Sequence, residues 1–95
     1  MFLFNLTNFN TINVKNMSNM FYNCSKLTSL NLSNFNTNNV NNISYIFYNC
    51  VKLTSLNLSN FNIINIKEMN LIFSGLISNY KIITNNEKIL GEFKY

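Results

Sequence analysis

Apolar and polar positions follow one template along most of the chain. Leu27, Leu30 and Leu32 form Leu-x-x-Leu-x-Leu, and Leu53, Leu56 and Leu58 repeat it 26 residues later. The last two leucines of each set flank a single Asn, the period-two pattern of a short strand with one buried face. Farther along the unit, Val40, Ile43, Ile46, Phe47 and Cys50 recur in steps of three and four. That spacing gathers side chains on one face of a helix. Between the two runs lies Ser33-Asn34-Phe35-Asn36-Thr37-Asn38-Asn39, a loop with one aromatic anchor, because Asn and Ser favour turns by bonding nearby backbone. Each unit reads as strand, loop, short helix. The pattern predicts strands over 3–7, 29–33 and 55–59 and helices over 16–22, 42–48 and 68–74.

The repeat is plain in its columns. Phe9, Phe35 and Phe61 are equivalent, as are Phe21, Phe47 and Phe73, then Val14, Val40 and Ile66, and finally Cys24 and Cys50. Residues 1–26 and 27–52 agree at 15 of 26 positions. The third unit, 53–78, opens like the second and then drifts, with Leu76 in the Cys column and Ser74 in the Tyr column. One such unit cannot bury its apolar face alone, whereas stacked units share a continuous core. The predicted fold is therefore an α/β repeat solenoid. It has three parallel strand–loop–short-helix coils (1–26, 27–52, 53–78) and a β-rich C-terminal capping segment, 79–95. In that segment Tyr80–Thr84 reads as a fourth strand with Ile82 aligned to Leu56, and Asn85-Asn86 as a turn. Lys88–Tyr95 reads as an antiparallel edge strand, with a short helix from Glu87 as the alternative. The predicted core holds Leu6, Phe9, Val14, Met17, Phe21, Cys24, Leu30, Leu32, Phe35, Val40, Ile43, Phe47, Cys50, Leu56, Leu58, Phe61, Ile66, Met69 and Phe73.

The run 27–50, Leu-Thr-Ser-Leu-Asn-Leu-Ser-Asn-Phe-Asn-Thr-Asn-Asn-Val-Asn-Asn-Ile-Ser-Tyr-Ile-Phe-Tyr-Asn-Cys, resembles the BspA-type leucine-rich repeat of bacterial, mycoplasma and protist surface proteins. The likeness extends from Met1 to about Ser78. It implies a leucine-rich-repeat fold, a place at the cell surface or outside the cell, and adhesion to a protein or cell-surface matrix. Where that family's unit usually carries Asp, this chain carries Asn31, Asn36 and their equivalents, which removes an acidic, cation-binding edge from what the resemblance implies.

Composition narrows the chemistry. Hydrophobic residues make up 47% and charged residues 11%, with no Pro, His or Trp, too apolar and too weakly charged for a disordered tail. Without His the commonest general base and metal ligand are missing. The carboxylates Glu68, Glu87 and Glu92 show no spacing of an acid/base pair. Two cysteines cannot supply a structural zinc site, and Gly75 and Gly91 stand alone, so no phosphate-binding glycine loop exists. No catalytic, cofactor or metal site is expected, and the protein reads as a non-enzyme. The net charge of +4 is seven Lys against three Glu, with no Arg, and the lysines are scattered in sequence, which reads as a solvated surface without a nucleic-acid footprint. No segment approaches the length of a membrane span, and the opening residues do not make a signal peptide.

Among the repeated columns, Asn8/Asn34/Asn60, Asn10/Asn36/Asn62 and Asn13/Asn39/Asn65 are invariant. Their amides are expected to bond the backbone of the neighbouring coil and satisfy its loop groups. The Phe21 and Phe47 column is assigned to the core, with Tyr22, Tyr45 and Tyr48 partly exposed on the convex side. Cys24 and Cys50 are expected as stacked free thiols, since equivalent Cβ vectors run parallel and suit a disulfide poorly. Asn5, Ser29, Asn31, Ser33, Ser55, Asn57 and Ser59 alternate with inward leucines. They form a neutral hydrogen-bonding grid on the strand face, and that grid is the candidate partner-binding site. Interaction with a protein or matrix partner is the leading reading, because repeat architectures serve extended partners. The chain opens in mid-register, with Met1 aligned to Leu27 and Leu53. Three further readings follow from that and from the Asn-rich composition: an inert fragment of a longer array, self-stacking through an uncapped N-terminal coil, and cross-β assembly.

Overall fold

The computed structural model describes residues 10–76, 82–84 and 86–91. The predicted strand over 3–7, with Leu6, Phe9 and Asn5, lies outside the described residues, as do the chain's last four residues. Among the described residues three short strands are formed: β1 (Ser29–Asn31), β2 (Ser55–Asn57) and β3 (Ile82–Ile83). They make one parallel sheet in the order β1-β2-β3. Its register follows the repeat. Leu30 pairs with Leu56 and Asn31 with Asn57, while Leu56 pairs with Ile82 as the alignment predicts. Parallel strands cannot be joined by a tight hairpin, and here the 26-residue unit supplies the long return path.

The return path corrects the predicted helices. Residues 16–22, 42–48 and 68–74 form no helix; they are chains of tight turns. Cys24 N–H donates to the Phe21 carbonyl and Cys50 N–H to the Phe47 carbonyl, at 3.1 and 3.2 Å. Asn19, Asn23, Tyr45, Asn49 and Leu71 have positive φ, as does Gly75. A left-handed residue in the third place of a four-residue turn is the type II pattern. The peptide groups that a helix would bond internally reach the next unit instead. Met17, Asn19, Phe21 and Asn23 N–H donate to the carbonyls of Asn42, Ser44, Ile46 and Tyr48. Ile43, Tyr45 and Asn49 donate in the same way to Glu68, Asn70 and Ser74. Turns that advance four residues at a time bury positions four apart, such as Met17 with Phe21 and Ile43 with Phe47, which mimics helical spacing.

The tail is also corrected. Residues after Asn86 do not begin an antiparallel strand; α1 (Glu87–Gly91) is a single-turn helix, the alternative weighed above. Asn86 Oδ1 accepts Lys88 N–H at 2.9 Å and Ile89 N–H at 3.2 Å, a side-chain cap on the helix N-terminus. It turns Ile89 into the core, 1% exposed.

The core runs between sheet and turns. Leu27, Leu30, Leu32, Leu53, Leu56 and Leu58 are buried from the strand side, and Phe21, Ile43, Ile46, Phe47, Cys50, Ile72 and Phe73 from the turn side. Phe35 and Phe61 plug the loop corner. The rings of Phe21, Phe47 and Phe73 lie nearly parallel, with centroids 6.0 and 5.9 Å apart. Val14, Cys24, Ile66 and Met69, predicted as core, pack against it half-buried.

Candidate functional site

The strand-face grid is laid out by the sheet register. Ser29 stands opposite Ser55 and Asn31 opposite Asn57, and Ser33 and Ser59 follow the strands. Asn31 is exposed, while Ser29, Ser33, Ser55, Asn57 and Ser59 are half-buried; Asn5 lies outside the described residues. The two Asn side chains are already committed at one end. Asn31 Oδ1 accepts Ser33 N–H at 2.9 Å and Asn57 Oδ1 accepts Ser59 N–H at 3.0 Å. Among the described residues their Nδ2 groups have no acceptor, so the two Asn present donors beside Ser hydroxyls that can donate or accept.

The other Asn columns divide into two roles. Asn10, Asn16, Asn36, Asn42 and Asn62 each accept the N–H two residues ahead, the Asx turn that sets the loop's bends. Asn39, Asn60 and Asn65 reach across to the preceding unit, bonding the carbonyls of Ile12, Ser33 and Asn38. This second set satisfies loop backbone as predicted; the first set shapes its own unit through Oδ1, and two of its members also reach across through Nδ2, Asn42 to Glu68 and Asn62 to Asn38.

A contact that sequence reading missed lies beneath these columns. Thr11 and Thr37 are buried, 5% and 1% exposed, and each hydroxyl bonds the backbone of the next unit. The 26-residue spacing of the two threonines was the available signal.

On the turn side, Tyr22 and Tyr48 stack with centroids 4.9 Å apart and rings 9° from parallel. Tyr45 meets Tyr48 edge-on at 5.8 Å. Tyr22 is 46% exposed, and Met20 on the first unit's turns and Leu71 on the third's are exposed as well. Repeat order puts Tyr22 and Tyr48 in one column, and left-handed backbone at Tyr45 (φ 61°) lifts that ring out of the core beside them.

Cys24 and Cys50 are free thiols. Cys50 is fully buried and donates to the Phe21 carbonyl at 3.0 Å. Burial pushes its pKa up to about 11, with the neighbouring Cys24 adding to the rise. Burial also raises Cys24. Both shifts disfavour the thiolate that a nucleophile or metal ligand needs.

The loop corner carries two open clefts. One is lined by neutral residues including Asn34, Asn36, Asn38, Asn60 and Asn62. The other is lined by Lys15, Asn39, Asn41, Ile64, Asn65, Ile66 and Lys67. Among the described residues no helix is long and apolar enough to cross a membrane.

A family model described as "Mycoplasma protein of unknown function, DUF285" matches residues 1–86. No curated protein and no solved structure matches the chain.

Proposed function

Because the chain belongs to the DUF285 family of Mycoplasma proteins, whose function is unknown, we propose a function from the geometry. It is a non-enzymatic interaction module, a leucine-rich-repeat solenoid of the BspA type that docks a protein or matrix partner at the cell surface. The tyrosine cluster carries this reading. The protein keeps Tyr22 exposed and Tyr45 and Tyr48 half-buried beside a Phe column that already fills the core. Tyrosine is among the residues that dominate binding energy at protein interfaces, because its ring buries much area at little entropic cost. The donor grid of Asn31 and Asn57 adds polar contacts along the strand face. The 26-residue register of β1, β2 and β3 supports the solenoid.

The test is binding of the chain, and of a concatenated version, to a panel of immobilised matrix and cell-surface proteins. A Tyr22→Ser/Tyr48→Ser variant is expected to lose binding roughly tenfold or more, and an Asn31→Lys/Asn57→Lys variant less. Equal binding by wild type and the tyrosine variant overturns the assignment of the anchor.

A second reading, a spacer within a longer array, draws on one observation. Tyr45 and Asn49 N–H donate to the next unit, whereas the equivalent Leu71 and Gly75 N–H groups donate to nothing among the described residues. A concatenated chain that folds cooperatively and binds none of the panel favours this reading.

A further inference from the structure

Two lysines 52 positions apart line one cleft. Lys15, Asn41 and Lys67 occupy equivalent places in successive units, since 41 − 15 = 26 and 67 − 41 = 26. Backbone bonds hold them side by side. Asn41 N–H donates to the Lys15 carbonyl at 2.8 Å, and Lys67 N–H donates to the Asn41 carbonyl at 2.8 Å. At the ~4.8 Å spacing of paired extended chains the lysine Cα atoms stand roughly 10 Å apart with Asn41 between them. All three line an open cleft of about 450 Å³. Among the described residues no carboxylate lines it; Glu68, next in the chain, accepts Asn42 Nδ2 at 3.2 Å. The Asn41 side-chain amide has no partner among the described residues. Beside this cleft on the same loop corner lies the Asn-lined one, about 570 Å³ and, among the described residues, free of charged groups.

We propose that this corner binds a sulfated polysaccharide, with a sulfate ester seated between Lys15 and Lys67 over the Asn41 amide and neighbouring sugar hydroxyls on the Asn-lined cleft. The chemistry of each part fits. A Lys ammonium is a compact point charge with three donors, and two of them, with no acid between, compensate the ester oxygens. A carboxamide pairs a donor with an acceptor, the same pair a sugar hydroxyl presents. Nucleic-acid phosphate fits less well, because single-stranded bases need aromatic or guanidinium surfaces to stack on. Among the described residues the one ring in either lining, Phe35, is buried. The site is independent of the tyrosine cluster.

The experiment is titration calorimetry on the whole chain at fixed ionic strength. The probes are a sulfated oligosaccharide of defined length, its unsulfated counterpart, inorganic sulfate, and a single-stranded DNA of matched charge. The sulfated sugar is expected to bind at least roughly tenfold more tightly than the other three. Lys15→Gln/Lys67→Gln is expected to lose roughly tenfold or more. Asn41→Asp, which keeps volume but sets a carboxylate between the lysines, is expected to lose as much with an unchanged thermal midpoint. Lys26→Gln/Lys52→Gln removes the same charge from another pair of equivalent positions and is expected to stay within about twofold of wild type. The proposal is overturned by equal loss in the Lys26/Lys52 variant, by retained binding in Asn41→Asp, by DNA or inorganic sulfate binding as tightly, or by no binding of the sulfated sugar.

Discussion

Thr37 bonds both backbone polar groups of Asn62 in the next unit: its hydroxyl donates to the Asn62 carbonyl at 2.9 Å and accepts the Asn62 N–H at 2.8 Å. Thr11 does the same to Asn36. The third unit carries Ile63 at this position, so the ladder ends there. Thr37→Val keeps the shape but leaves two backbone groups beside a 1%-exposed side chain without their partner. It is expected to cost roughly 2–4 kcal/mol in urea unfolding. Thr37→Ser, which keeps the hydroxyl, is expected to cost about 1 kcal/mol. Equal costs for the two variants would show that the methyl, not the hydroxyl, is what matters.

Phe47 sits between Phe21 and Phe73 in the ring column, 1% exposed. Phe47→Ala opens a cavity with neighbours on both sides and is expected to cost roughly 3–5 kcal/mol, comparable to the whole stability of a small domain. Circular dichroism melts report it, with Tyr48→Ala as the half-buried comparison expected to shift the midpoint less.

The left-handed turn positions can be tested in both directions. Leu71 holds φ 52° and is 55% exposed, so Leu71→Asn sheds an unfavourable conformation without giving up burial. It is expected to stabilise by roughly 0.5–1 kcal/mol. Gly75, at φ 93°, has no room for a side chain: a Cβ there would meet Asn49 Oδ1 at 2.7 Å and Asn49 Cα at 2.9 Å. Gly75→Ala is expected to destabilise by about 2 kcal/mol or more. A thermal midpoint that falls for the first variant and holds for the second would refute the turn conformations.

How much of this was legible beforehand depends on the kind of signal. The parallel register, including Leu56 against Ile82, follows from a period-two pattern repeated at fixed spacing, and nothing else satisfies both. The turns were misread because steps of three and four serve equally for a helix and for four-residue turns; Asn19, Asn23 and Asn49 in left-handed backbone decide between them. The short helix α1 won over an edge strand because Asn86 caps it and Ile89 gains a buried place. The Lys15–Lys67 cleft could not be read as a cluster, since residues 52 apart become neighbours only once the units pair. Thr37, in a run of polar loop residues, carried no apolar mark of its burial.

Cys50 makes stability depend on alkaline pH. Its folded pKa, about 11, lies above the ordinary 9.0 of the thiol, so the folded state holds this proton more tightly than the unfolded state. The contribution is complete below about pH 9 and is lost as pH rises through about 11, amounting to at most about 3 kcal/mol. Urea unfolding of wild type and Cys50→Ala across that window isolates the contribution of this thiol. The variant is expected to show the shallower fall, and parallel curves would contradict it. Under an oxidising thiol reagent, half-buried Cys24 is expected to react well before Cys50.

The one-way bonding of the turns makes the molecule electrically polar. From Met17 to Asn23 and from Ile43 to Asn49, the inter-unit bonds of the turns point their N–H toward the later unit and their C=O toward the earlier one, and outnumber the Asn41, Lys67 and Glu68 N–H groups just before the turns, which point the other way. Peptide dipoles set head to tail in this way add along the axis on which the units succeed one another, as they do along a helix. The positive pole then lies at the third unit and the negative pole at the first. Because every added repeat lengthens the column without reversing it, the dipole moment grows with the number of repeats. The two ends of such a chain therefore differ in sign even when the side chains of every unit are the same.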